Sequence, residues 1–391
     1  MSWRAFFNEI GVNRLSEMTL VATSAMGLEA LVADEVRALG YEPTTRNGKV
    51  YFKGDATAIA RANMWLRIAD RVHIVVGQFK ATTFDQLFEG VYALPWDEYM
   101  PVDAEFPVNG KSVKSKLFSV SDCQAITKKA IAEKMKKQYH RLGFLEETGP
   151  LYKIEVSMLK DVATLTIDTS GPGLHKRGYR VAQGGAPLKE TLAAGLVQLT
   201  KWQPKDRPFI DPFCGSGTIA IEAAMIGQNI APGTNREFVS EEWPWMKEKI
   251  WEKVDEEADA LAKYDEPLEI YGYDVDGRMI DIARRNAEAA GFPDDLIHFK
   301  QQHVKNLTLE GHNGVIVTNP PYGERLGELQ DAEEHASILG NVVQGHPSWS
   351  TYVITPLEEF EEFFGKKATK KRKLFNGFIK TDYYQFWGKR K

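Results

Sequence analysis

Asp211-Pro212-Phe213-Cys214-Gly215-Ser216-Gly217-Thr218 and Asn319-Pro320-Pro321-Tyr322-Gly323 are the segments of this 391-residue chain whose residue types and spacing suggest chemistry. In the first, two glycines one residue apart join the apolar stretch Pro208-Phe209-Ile210-Asp211 to a helical pattern from Thr218 to Met225. Such glycines let the backbone turn tightly and let a ligand approach main-chain N–H groups at a helix start. Gly215-x-Gly217-x-x-Ala220 also fits the loose dinucleotide pattern. A dinucleotide fold, however, places its ribose-binding acid ~20 residues on. The next strand-ending acid, Asp274, stands 57 positions after Gly217, which weakens that reading unless an insertion intervenes. In the second segment the apolar run Val315-Ile316-Val317-Thr318 ends in a stiff turn, polar and then aromatic. Taken alone, such a turn reads first as the plain end of a strand.

In this order, the two segments resemble the cofactor loop and the Asn-Pro-Pro-Tyr motif of S-adenosylmethionine-dependent methyltransferases that modify exocyclic or amide nitrogens. The residue choice suits that chemistry. An amine conjugated to a ring is a poor nucleophile because its lone pair is delocalised, and transfer from a sulfonium needs that lone pair aimed along the C–S axis. Acceptors must therefore hold the two N–H hydrogens. The Asn319 side-chain oxygen and the Pro320 carbonyl are suited to this, with Pro320 and Pro321 fixing the turn and Tyr322 stacking on the base. Catalysis is then mostly positioning, and no strong general base or metal is required.

The resemblance further implies cofactor contacts. Asp211 is expected at the methionine amino group and Asp274 at the ribose hydroxyls, with Phe213, Gly215, Gly217 and Thr218 in the loop between. Asp274 also reads as a helix N-cap shared with Asp276. Where the family usually has an acid near the adenine, this chain has His303 beside Gln302; an adenine contact and an ordinary surface histidine are both open readings. Cys214 is assigned packing, because a nucleophile on the cofactor loop would be misplaced for a base.

The surrounding pattern supplies the scaffold. After the breaker-rich Ser170-Gly171-Pro172-Gly173, strand-like and helical stretches alternate: a helix from Pro187 to Lys201, a strand at 269–274, a helix from Met279 to Ala290, strands at 314–318 and 350–355, and a terminal pair, Leu374–Phe378 and Asp382–Trp387. Alternation of this kind implies a mostly parallel sheet covered on both faces, and in the family resembled it is a seven-stranded, Rossmann-like domain. We read that domain as 170–391, with an acidic, tryptophan-containing surface insertion at 228–267.

Earlier, the pattern is α+β. A helix ends at Gly40, a helical stretch runs from Ile59 to Ala69, a β-rich run from Val72 to Phe79, a long helix from Ser121 to Tyr139, and a hairpin from Tyr152 to Thr169 turns at Lys160-Asp161. Residues 111–141 carry nine basic residues against two acidic ones. Phosphate contacts and a solvated helix face both fit such a cluster. Phe106 to Lys111, Lys114-Ser115-Lys116, the stretch around Lys128 and Lys129, and the closing hairpin resemble a THUMP domain, an RNA-binding module. The link Gly173-Leu174-His175-Lys176-Arg177-Gly178-Tyr179-Arg180 resembles that of THUMP-associated methyltransferases, as does Ala186-Pro187-Leu188 beyond it.

The nearest likeness is to the large-subunit ribosomal RNA guanine-N2 methyltransferases, often labelled N6-adenine-specific DNA methylases because of Asn-Pro-Pro-Tyr. It implies a ferredoxin-like region at 1–69, a THUMP domain at 70–169, and RNA contacts from Lys111, Lys114, Lys116, Lys128, Lys129, His175, Lys176, Arg177 and Arg180. A structural role in docking the two halves is the competing reading for the last four. The expected activity is methylation of a guanosine N2 amine, in 23S rRNA or alternatively in tRNA. DNA adenine and release-factor glutamine are weaker substrates, since no duplex-reading domain is evident and a basic module would go unexplained. A non-catalytic RNA assembly factor is the remaining alternative.

Composition sets outer bounds. With 43% hydrophobic and 26% charged residues the chain is globular, and two cysteines allow no disulfide framework. The start at Met1 has no signal-peptide pattern and no apolar run reaches membrane-spanning length, so the expectation is a cytoplasmic protein. The net charge of −5 argues in bulk against a nucleic-acid partner, but it averages a basic element at 111–141 with the acidic stretch at 228–267. The basic run 366–373 reads as a loop ahead of the last hairpin.

Overall fold

A computed structural model of the chain describes residues 15, 17–182, 184, 187–205, 207–322 and 328–389, except the side chain of Glu328. Gly323 of the second segment and Ala186 of the link lie outside the described residues, as does nearly all of 1–16.

The strands of the described residues form two seven-stranded sheets. The N-terminal half runs β1 (Met18–Ser24), α1 (Glu29–Ala38), β2 (Thr44–Arg46), β3 (Lys49–Gly54), α2 (Ala56–Trp65) and β4 (Ala69–Lys80). It continues through α3 (Phe84–Tyr92), α4 (Trp96–Tyr99), β5 (Val108–Val113), α5 (Val120–Gln138), β6 (Ile154–Leu159) and β7 (Val162–Asp168). The strand order is β2-β3-β1-β4-β7-β6-β5, antiparallel except for the β5–β6 pair. β4 pairs with β1 along its first half and with β7 from His73 to Lys80, so both α+β units share one sheet. The division expected at 69/70 coincides with the start of this shared strand. The helix expected to reach Ala69 stops at Trp65, since Ala69 is needed opposite Ser24 in β4. α5 buries Cys123, Thr127, Ala130, Ile131 and Met135, a three-and-four spacing that leaves most of its lysines outward.

The C-terminal half runs α6 (Glu190–Thr200), β8 (Phe209–Asp211), α7 (Thr218–Gly227), α8 (Glu248–Leu261), β9 (Ile270–Asp274), α9 (Gly277–Ala289) and β10 (Ile297–Gln301). It ends with β11 (Val315–Thr318), α10 (Glu328–Gln344), β12 (Ser350–Thr355), α11 (Phe360–Phe364), β13 (Lys370–Asn376) and β14 (Ile379–Phe386). The order is β10-β9-β8-β11-β12-β14-β13, with five parallel strands and an antiparallel terminal hairpin. β8 and β11, Val315–Thr318 included, are wholly buried, as expected of parallel strands covered on both faces. The order reverses between these two strands, and ligands of open α/β sheets bind beyond such a point, at the carboxyl ends of the strands.

Two expectations about loops need correction. The stretch 228–267 is not a surface insertion but a brace between the halves. Trp243 is buried, stacks on Tyr152 at 4.5 Å and donates Nε1–H to the Leu151 carbonyl, and Trp245 donates to that of Tyr99. Arg61 of α2 pairs through two nitrogens with Glu257 of α8, and Arg236 donates to the carbonyls of Ser170, Pro172, Gly173 and Lys176. A helical acidic pattern alone does not show that its tryptophans face a neighbouring domain. The basic run 366–373 is likewise only partly loop: from Lys370 it forms β13, whose alternate residues, such as Leu374, face inward. The preceding hairpin strand therefore ends at Asn376, leaving Phe378 in the turn.

Candidate active site

Both segments singled out in the sequence meet at the point where the strand order reverses. Asp211 ends β8 and Thr318 ends β11, and the Thr318 hydroxyl donates to Asp211 Oδ1 at 2.6 Å. The carboxylate also accepts the Phe213 N–H, but complete burial pushes its pKa up to about 7. A carboxylate so placed favours a cationic partner.

The loop beyond it is held from both sides. Gly217 N-caps α7 at φ +85°, where a Cβ would strike Ala283 and Phe299 at 3.0 Å. Gly215, at φ +52°, has nothing over its Cβ position, so its backbone is open to a ligand. Its N–H donates to Asp274 Oδ2 at 3.0 Å, while Asp274 Oδ1 accepts from Asp276. Asp276, rather than Asp274, caps α9, so Asp274 belongs with the loop. Cys214 is buried, and burial pushes its thiol pKa up, as suits the packing role expected of it.

A cleft of about 590 Å³ opens here, lined by Gly215, Asp274, His303, Asn319, Pro320 and Tyr322 among others. A smaller one of about 180 Å³, lined by Asp211, Ser216, Thr218 and again Asn319, adjoins it. Phe213 and Gly215 border both. Asn319 is thus where the two clefts meet, and its Oδ1 is buried with no hydrogen-bond partner among the described residues. The Tyr322 hydroxyl accepts from Asn376 at 3.1 Å, linking the turn to the terminal hairpin. An open glycine backbone, a buried carboxylate and a second carboxylate next to an elongated cleft fit an amino-acid group at one end and a ribose at the other.

His303, singled out in the sequence, lines this cleft, whereas His335, Asn376 and Ile379 were not foreseen. His303 accepts the Lys305 N–H through Nδ1, capping a short 3₁₀ turn, and faces the cleft beside His335 of α10. The His335 ring meets Phe213 edge-on, its Nδ1 is buried without a partner among the described residues, and burial with His303 nearby lowers its pKa. Asn376 and Ile379 reach the same cleft from β13 and β14. No local pattern connects such distant positions.

The nine basic or histidine positions expected at RNA divide sharply. Lys114, Lys116 and Lys129 are exposed, and Lys111 is exposed while pairing with Glu155 at 2.6 Å. Lys128 does not fit a phosphate contact. Its ammonium pairs with Glu147, donates to the Phe106 carbonyl and sits 3.8 Å from that ring's centre. In the link, Lys176 is exposed, but Arg177 is buried in an ion pair with Glu222 that also receives the Tyr179 hydroxyl. Arg180 pairs with Glu190 and donates to the Ser216 and Thr218 hydroxyls, so it braces the cofactor loop. His175 is half-buried, and burial beside Lys189 and Lys176 pushes its pKa to about 4, leaving it neutral. For Arg177 and Arg180 the docking reading therefore replaces the RNA reading. Asn286 completes the link, accepting from the Val181 and Ala182 N–H groups and donating to the Ser216 carbonyl.

Comparison with known proteins agrees with this geometry. The family description "RMKL-like, methyltransferase domain" matches residues 177–385, more than half the chain. The chain belongs to this family. An RlmL ferredoxin-like domain matches residues 19–73 and a THUMP domain residues 81–168. The Bacillus subtilis protein named "Putative RNA methyltransferase YpsC" is 60% identical over 96% of this chain and 97% of its own length. The Syntrophotalea carbinolica "Ribosomal RNA large subunit methyltransferase K/L" is 33% identical over 93% of the chain, which spans about half (53%) of that relative. Among solved structures, a "predicted N6-adenine-specific DNA methylase" from Listeria monocytogenes aligns with TM-score 0.92 at 60% identity, covering 96% of this chain and 97% of that one. SMU.472, a methyltransferase-like protein complexed with S-adenosylhomocysteine, aligns with TM-score 0.91 at 50% identity over 96% and 99%. The fold is thus a ferredoxin-like and a THUMP domain followed by a mostly parallel methyltransferase domain, and the chain is an S-adenosylmethionine-dependent RNA methyltransferase. Among the described residues no helix is long and apolar enough to cross a membrane.

Proposed function

We propose that the chain methylates the exocyclic N2 amine of a guanosine in 23S rRNA, with domains at 1–69, 70–169 and 170–391. The observation that carries this reading is the buried Asn319 Oδ1, unpartnered among the described residues, at the junction of the two clefts. A buried acceptor without a donor costs about 1–3 kcal/mol, and a substrate N–H in that position removes the cost. Asn319 Oδ1 takes one amine hydrogen and the Pro320 carbonyl the other, which orients the nitrogen lone pair; Tyr322 stacks on the ring. Once transfer is complete the nitrogen releases its extra proton to water, so no buried base is needed.

Asp211, Phe213, Gly215, Gly217, Thr218 and Asp274 hold S-adenosylmethionine in this reading, with His303 toward its adenine. When bound, the cofactor supplies an electrophilic methyl group on a cationic sulfur. Lys111, Lys114, Lys116, Lys129 and Lys176 remain for RNA phosphates. The ribosomal RNA named for the K/L relative supports 23S rRNA over tRNA. Labelled methyl transfer to 23S rRNA, tRNA and DNA, followed by nucleoside analysis, tests both polymer and atom. N2-methylguanosine in 23S rRNA is expected; labelled adenine sinks the reading, and label confined to tRNA moves it to the other polymer.

A further inference from the structure

The terminal hairpin carries a feature that nothing in the site has yet used. β13 and β14 are joined by Gly377 and Phe378, with Asn376 paired to Ile379. Gly377 takes φ +62°, as the first loop position of a tight type II′ turn requires, and a Cβ there would meet nothing. This turn leaves the Phe378 side chain fully exposed. An exposed phenylalanine is unremarkable in isolation, but the position of this one is informative. Asn376 and Ile379, paired across the hairpin and so on one face of it, line the large cleft, and Asn376 donates to the Tyr322 hydroxyl. The alternate pairs along the hairpin place Lys373 and Lys380, both exposed, on its other face.

We propose that Phe378 is a positioning residue for the RNA substrate: it stacks on a base beside the target and fills the space left when the target nucleotide turns into the cleft. The inference rests on the proposed RNA methylation. A base leaves its stack only at the cost of its neighbours' contacts, and an aromatic ring at the rim restores one of them. Its flat face suits any base, so it contributes grip without sequence choice. The Asn376–Tyr322 hydrogen bond keeps the tip in register with the turn that holds the target amine.

The test compares Phe378→Ala, Phe378→Trp and Phe378→Leu with the wild-type chain in methyl transfer to transcribed 23S rRNA and tRNA, alongside calorimetric titration with S-adenosylhomocysteine. Loss of an aromatic stack should lower kcat/KM for RNA about tenfold or more in the alanine variant, mainly through KM. Cofactor affinity should not change. Trp should restore transfer and Leu should not. Equal kcat/KM for Ala and wild type overturns the proposal, as does rescue by Leu equal to that by Trp, because simple apolar filling would then suffice. In both cases active wild type leaves the methylation reading standing. A wild-type chain that methylates no RNA overturns that reading and the present one with it.

Discussion

Asn319 and Asp211 illustrate how a residue can be poised for a partner. Asn319→Ala removes one amine acceptor without altering the glycine loop, so kcat should fall about 10²-fold or more while S-adenosylhomocysteine affinity stays within a few-fold. Single-turnover transfer together with titration checks this, and a wild-type rate removes Asn319 from the mechanism. Asp211 offers a pH test. Its pKa in the fold, about 7, lies above the ordinary 3.8, so its carboxyl favours folding most at low pH and loses that advantage as pH rises toward 7. Without cofactor, Asp211→Asn should therefore gain on the wild type by roughly 2 kcal/mol in urea titrations between about pH 5 and 7, with no further gain above that. A pH-independent difference would falsify the assignment of a burial-raised carboxyl. Both positions were legible in the sequence because each ends an apolar strand in a compact motif.

At the scale of elements, local periodicity carried the reading where partners are near in sequence and failed where they are distant. α5 and the β6–β7 hairpin agree closely with their patterns, since each buries one face against its neighbours. The brace at 228–267 was not legible. Its tryptophans face residues about a hundred positions earlier, such as Tyr152, and helical spacing does not distinguish a domain seam from solvent. The choice between RNA contact and docking at Arg177 and Arg180 stayed open for the same reason, because their partners Glu222 and Ser216 lie in α7 and its approach. Two measurements follow. Trp243→Ala should destabilise the chain by about 3–5 kcal/mol, seen in denaturant unfolding, with faster proteolysis near residue 170 as the halves part. Arg180→Ala should weaken cofactor binding about tenfold by freeing Ser216 and Thr218, while RNA affinity is unchanged in filter binding; equal losses for both ligands would mean that it reaches RNA after all.

For the molecule as a whole, the net charge of −5 concerns solubility more than partners. α8, rich in acids, closes against the N-terminal half, while Lys114, Lys116 and Lys129, on and beside α5, are exposed. RNA affinity should fall steeply with salt, and Lys114→Ala with Lys129→Ala should reduce the logarithmic slope by roughly 0.7–0.9 for each phosphate no longer neutralised. Lys128→Ala should instead lower the melting temperature with little change in slope, since its charge is already paired with Glu147. A slope unaffected by the first pair removes this face from RNA binding. β4 has a different kind of consequence. Because one strand completes the sheet of both N-terminal units, neither could be passed to another gene by a cut between them without baring the edge of β1 or β7 to other chains. In this lineage the two should be gained, lost and duplicated together, as a single heritable parcel.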